Sequence, residues 1–368
     1  MLRPSIAVSL FLTLLPSLAF AAPASQPSED GWPLYAQAIQ RIDTGDKAKI
    51  WSPAASPLAY AEYPPYPAEW TRLETASYAF NAPARALVRE ARSRTIANWP
   101  VLHLQGGKLD VSYLHGCRNL TNEMGDAALF QHLHNDDAEA MESLRDVMHL
   151  ADLLDSPKTT DLVEPLVAVG VRMAVAYRLD VITSDVSLTN DPADTKKLHI
   201  STARALIRQL YDDKDPERRY ADLLRREEAG ANIDTTQRER FLTQLRRGQM
   251  EYNLAAMSLA CHLFQFDKHR WPASIEEVTA YLPEAPKDAW GPMGYVVVKR
   301  QPGNVDRPLV YSHANSQDGL FYSTSEPQYS WDPGFRSGAI RKQGGQFRDV
   351  TLWAPAHPNP SPTTQPLK

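Results

Sequence analysis

The chain has 368 residues, long enough for two domains or for one large domain with an ample core. Its make-up is that of a globular protein, 43% hydrophobic and 23% charged, and a formal net charge of −5 argues against a nucleic-acid partner. Proline is in excess at 29 residues and clusters in "PAASPLAYAEYPPYP" (53–67) and in the tail "PAHPNPSPTTQPLK" (355–368), both of which read as extended segments with no core of their own.

The N-terminus has the pattern of an export signal. Arg3 supplies the positive start, "IAVSLFLTLLPSLAF" the short apolar stretch, and Ala19-Phe20-Ala21 a small-residue cleavage site. The apolar stretch is too short for a comfortable membrane span, although an uncleaved anchor is the other reading. The expected organisation is a signal peptide over 1–21 and a mature chain with no transmembrane segment, periplasmic or extracellular. Residues 22–69 follow as a leader, a first helix over 32–42 with Pro33 near its start, and the proline-rich stretch.

Residues 70–245 read as a helical domain. Helices are predicted over 75–96, 116–134, 137–155, 161–182, 198–212, 217–229 and 235–266. In 137–155, Met141, Leu144, Met148 and Ala151 form an apolar stripe that Val147, Leu150 and Leu154 widen. Asp136 and Asp137 occupy the cap, and Pro157 lies just past the end. The next segment, "DLVEPLVAVGVRMAVAYRLDVI", is apolar almost all round, which predicts burial on most sides; Glu164 and Arg172 speak against a membrane span. The two together predict an αα-hairpin with its second helix central to an irregular bundle or a short α-solenoid. No 34-residue repeat is present. The runs "DDKDPERR" and "LLRREE" read as solvated helix faces.

Cys117 and Cys261 are the only cysteines. Oxidation after export would close a long loop, worth about 4–5 kcal/mol in the chain-entropy model. Cys261, however, continues the stripe Leu254, Met257, Cys261, Phe264, which suits a small core residue better. Two cysteines alone leave the pairing open.

From Arg270 the pattern changes. "YVVVK" (295–299), "PLVYS" (308–312) and "LFYST" (320–324) are strand-like, and "KQGGQFRDVTLW" closes the sheet through a Gly344-Gly345 turn. The expected fold class is therefore α+β: a mainly helical N-terminal domain, then a module over 246–353 in which a long helix packs on a small antiparallel sheet. A disordered proline-rich tail is expected over 354–368.

The long helix runs into "FDKHRWPASIEEVTAYLPEAPKDAWGPMGYVVV", and "LVYSHANSQDG" follows. Over residues 246–332, about a quarter of the chain, this succession resembles the soluble part of the major pseudopilins of type II secretion systems. In those, a helix leads into a WP- or YP-type turn, a short helix, a P-x-D-P-W-G corner, and a strand ending near S-x-G-x-D-G. The helical region also resembles exported bacterial proteins of unknown function that carry this module after helical hairpins. The resemblance implies a fold and no activity. Physically the corner reads as structural: Asp288 forms an Asx-type turn, Trp290 anchors sheet to helix, and Gly291 lets the backbone turn before Pro292.

The departures are also informative. Pseudopilins begin with a peptidase-cut glycine, a run of some twenty apolar residues and a glutamate at the fifth position. Here "RRGQMEYNLAAMSLACHLFQF" has Glu251 three residues after Gly248 and only a short apolar run, so entry into a pseudopilus through a membrane helix is not expected. The resemblance further implies a calcium loop, with Asp318 as the matching acid and Asp332 as a candidate from the loop that follows. The glycines and second acidic cluster of that loop are missing from "QDGLFYSTSEPQYSWD", whereas calcium takes about six or more oxygens. Asp318-Gly319 as a hairpin turn is the competing reading.

Histidines gather at positions 103, 115, 132, 134 and 149, and "HLHNDD" suggests a metal or acid/base site from His132, His134 and Asp136. Residues two apart on a helix point to different sides, and no H-E-x-x-H is present. Nucleophile-elbow, phosphate-loop and dinucleotide motifs are absent, "LQGGKLD" reads as a turn, and Cys117 beside His115 lacks an orienting acid.

The expected function is that of an exported, non-enzymatic envelope protein. It would be a scaffold of helical hairpins for a protein or peptide partner, without cofactor unless the Asp318 loop holds calcium. The alternatives are a metal-dependent hydrolase using the His132/His134 region and a calcium-binding accessory of a secretion system.

Overall fold

The computed structural model describes residues 30–42, 66, 68–96, 98–100, 103–105, 108–110, 112–155, 162–183, 185–211, 216–230 and 233–284, and the strand segments 294–298, 307–311, 341–343 and 346–348. These residues are mostly helical. The expected export signal, the proline-rich segments apart from Tyr66, the corner at Asp288, Trp290 and Gly291, and Asp318 and Asp332 lie outside them.

Helix α1 (Trp32–Arg41) starts with Pro33 in its first turn and buries Tyr35 and Ala38. The segment expected as one helix over 75–96 is two, α2 (Ala68–Phe80) and α3 (Ala82–Arg92). Pro83 removes a helical N–H donor, and Asn81, at φ −86° and ψ 4°, takes the corner between them. Strands β1 (His103–Gln105) and β2 (Lys108–Asp110) pair antiparallel, with Gln105 opposite Lys108; the turn expected at Gly106-Gly107 lies outside the described residues. Helix α4 (Ser112–Leu133) follows.

Helices α5 (Asp137–Leu154) and α6 (Val163–Thr183) form the expected hairpin. Asp136 caps α5 by accepting from the Glu139 backbone N–H. Beyond it come α7 (Ile200–Leu210), α8 (Pro216–Arg219), α9 (Ala221–Ala229), α10 (Thr235–Lys268) and α11 (Ile275–Thr279). Helix α6 packs on α10, α5 and α4; α1 packs on α3 and α4, and α7 on α10.

One large apolar cluster unites these elements. Leu120 and Met124 of α4, Leu144 and Met148 of α5, Leu179 and Ile182 of α6, Leu206 of α7 and Met257 of α10 are all buried in it. Each fully buried Leu or Met contributes roughly 1.5–3 kcal/mol. A smaller cluster joins Val169 of α6 to Leu223 and Leu224 of α9 and Phe241 and Leu242 of α10. Helix α10 is continuous through residue 246, and its stretch Leu254–Leu263 shares the large core with α4–α7. Cys117 and Cys261 are both free and buried, each a core residue.

Strand structure is sparse. Leu188–Thr189 (β3) and Leu198–His199 (β4) make a short parallel pair that the sequence did not announce. Gly294–Val298 (β5) pairs antiparallel with Arg307–Tyr311 (β6), with Val296 opposite Leu309. Arg341–Gln343 (β7) pairs with Gln346–Arg348 (β8). Among the described residues the single antiparallel sheet expected after the long helix is not seen, and β5–β6 and β7–β8 are separate two-stranded ladders. Among the described residues, no helix is long and apolar enough to cross a membrane.

Candidate functional site

Helices α4 and α6 run side by side in the same direction and are clasped at two levels. Near their starts the Tyr113 hydroxyl donates to the buried Glu164 carboxylate. Further along, Arg178 donates to Asp126 at 3.0 Å, and Gly125 permits that approach, since a Cβ there would run into the Arg178 side chain. Between the clasps a groove of about 520 Å³ runs along the two helices.

The two walls differ in chemistry. On α4 the lining residues are Leu114, His115, Arg118, Thr121 and Asn122, one helical face. On α6 they are Val163, Val167, Gly170, Val171 and Ala174, again one face. The helix expected to be buried on most sides is covered by α4, α5 and α10, but Leu166 is 41% exposed and Gly170 is open to solvent.

Gly170 is unusual for its position. A helix-interior glycine costs about 1 kcal/mol relative to alanine. No packing explains it, because a Cβ built there meets nothing within 4 Å. On the opposite wall His115, Arg118 and Asn122 are exposed and, among the described residues, make no side-chain hydrogen bond or ion pair. Thr121 Oγ1 donates to the Cys117 carbonyl at 2.9 Å and keeps its acceptor lone pairs. The arrangement offers an apolar wall, one fixed cation and several hydrogen-bonding groups.

His132, His134 and Asp136 play three separate parts. His132 is buried, with Nδ1 2.5 Å from Asp137 Oδ1 and Nε2 3.0 Å from Asp185 Oδ1. His134 is exposed, lies against the Phe130 ring and bonds the Phe130 carbonyl at 2.7 Å through Nδ1. Asp136 is the cap of α5. Among the described residues, no group of three or more His, Cys, Asp or Glu is placed to hold a metal ion. His149 Nδ1 lies 2.7 Å from the Tyr35 hydroxyl, and burial followed by the nearby Arg92 lowers its pKa.

Cys117 does not act with His115 either. His115 faces the groove, whereas Cys117 points into the core. Burial, followed by the Glu164 charge, pushes the Cys117 thiol up to about 12, far from a thiolate at neutral pH.

Other charges are spent on holding helices together. Asp146 of α5, fully buried, receives Arg89 at 2.6 Å and Arg92 at 3.0 Å from α3. Burial still raises its pKa to about 6, against the pull of both arginines. Asp155 binds Arg172 and Arg219 in the same manner.

Sequence reasoning pointed to grooves between helices but did not single out Arg118, Asn122 or Gly170. The signal was present as a polar stripe at 115, 118 and 122, and as one glycine in an otherwise apolar helix. Comparison of the chain with known protein families, curated sequences and solved structures finds no match.

Proposed function

We propose that this chain is an exported, non-enzymatic scaffold of the cell envelope that holds a protein or peptide partner in the groove between α4 and α6. One observation carries the reading: a groove kept between two clasps, with walls of opposite chemistry and a glycine that no neighbour requires. An apolar lining with a few placed polar groups is the usual make-up of a recognition site. The export pattern at the N-terminus sets the compartment of the partner.

On the same reading the C-terminal quarter is a pseudopilin-like module that caps or docks the helical domain. Its support is the residue succession over 246–332 and the antiparallel pairing of β5 with β6 beside α10.

Site-specific cross-linking tests the groove. Photo-reactive benzoylphenylalanine is placed at position 170 and, as a control, at the exposed Arg225 of α9. Irradiation of cells exporting the chain is expected to yield a defined adduct, identified by mass spectrometry, from position 170 and not from 225. Absence of an adduct at 170 excludes the groove as the binding surface.

A further inference from the structure

Resting on the scaffold reading, we propose that the groove takes a short extended peptide segment in which apolar and acidic residues alternate. Successive side chains of an extended chain point to opposite sides. A groove with one apolar wall and one polar wall matches that alternation directly. Val167, Val171 and Ala174 would receive the apolar side chains.

The charge assignment comes from Arg118. It is the only fixed charge among the described lining residues, and no acid among the described residues engages it. A carboxylate on the partner would find a cation ready to pair and, among the described lining residues, no carboxylate to repel it. Asn122 and the Thr121 acceptor supply hydrogen-bonding capacity that a peptide backbone can use and a bare acyl chain cannot.

The length agrees. The α4 wall spans residues 114–122 and the α6 wall 163–174, or about 12 and 16 Å at 1.5 Å per residue. That accommodates about four or five extended residues.

The test uses fluorescence anisotropy on the chain from residue 22 to 368 with three fluorescein-labelled hexapeptides, in which valine alternates with glutamate, glutamine or lysine. The glutamate peptide is expected to bind at least tenfold more tightly than the glutamine peptide, and the lysine peptide weakest. Arg118→Glu should reverse that order, and because Arg118 is exposed and unpaired the variant should fold normally. Gly170→Leu should abolish binding of every peptide without lowering Tm. Equal affinity for the glutamate and glutamine peptides, or indifference to Arg118→Glu, overturns the proposal, as does tighter binding of dodecanoate in competition. If no peptide binds while position 170 still cross-links a partner, the alternating acidic ligand is wrong and the scaffold reading stands. If both fail, both readings fall.

Discussion

His132 is 1% exposed, yet both of its ring nitrogens face carboxylates, Asp137 on one side and Asp185 on the other. Burial opposes a charge there, but the hydrogen bonds to Asp137 and Asp185, together with their charges, raise its pKa to about 9. The ring is therefore an imidazolium at neutral pH, tying the α4–α5 corner to the segment before β3. Asp137 completes the tie by accepting from the Ser187 N–H at 2.7 Å. The folded pKa lies above the ordinary histidine value, so the stabilisation is complete below about pH 6.5 and is lost as pH rises through about 9. The span of the shift corresponds to about 3 kcal/mol. The Tm of the protein should accordingly fall between pH 6.5 and 9. His132→Asn should lower Tm at pH 6 and flatten that slope; parallel pH profiles for the two proteins would show that the charge at His132 does not contribute.

At the scale of the element, α10 shows what holds a 34-residue helix at its exposed end. Asp234 Oδ1 accepts from the Gln237 N–H at 2.7 Å, and Gln237 Oε1 accepts from the Asp234 N–H at 2.8 Å, a reciprocal capping box. Asp234→Ala should cost about 1 kcal/mol, seen in chemical denaturation as a lower midpoint with an unchanged m value. An unchanged midpoint would mean that packing on α6 alone sets the helix. Elements of this kind were legible beforehand because their signals are local. The cap at Asp136, the stripe Met141, Leu144, Met148 and the stop near Pro157 all lie within a few turns of one another. The break between α2 and α3 was missed because Pro83 had to be weighed against good helix formers on both sides. The β3/β4 pair was illegible for another reason. It rests on turns at Asp191 and Asp194, whose side chains accept from the backbone N–H groups of Ala193 and Lys197, and not on any β-rich run.

At the scale of the whole molecule, α6 is the hub. It contacts α4, α5 and α10, takes part in both apolar clusters and lines the groove. On the proposed scaffold reading, no metal contributes to stability. Thermal melts of residues 22–368 in EDTA, excess calcium and excess zinc should therefore coincide. A ligand at 100-fold over its Kd would add about 2.7 kcal/mol, a shift of a few degrees. A calcium shift abolished by Asp318→Asn would instead put the secretion-accessory reading first, and a zinc shift would restore a metal role to the histidines.

The break at Pro83 aside, the sequence by itself determined where most of the described helices lie and which of their faces are apolar, because capping and periodicity act over a few residues. It also showed that Cys261 continues an apolar stripe, and the structure places it in the core as a free thiol. Only the tertiary structure decided the partners of the polar groups. Asp185 reaches His132 across 53 residues, and Ser143, Asp146 and Asp155 face elements that no local pattern names. The groove belongs to the same class. Arg118 and Gly170 become one site only because two clasps far apart in sequence hold α4 and α6 side by side while leaving space between them. Such long-range geometry depends on how whole helix faces pack, and no short stretch of residues encodes it.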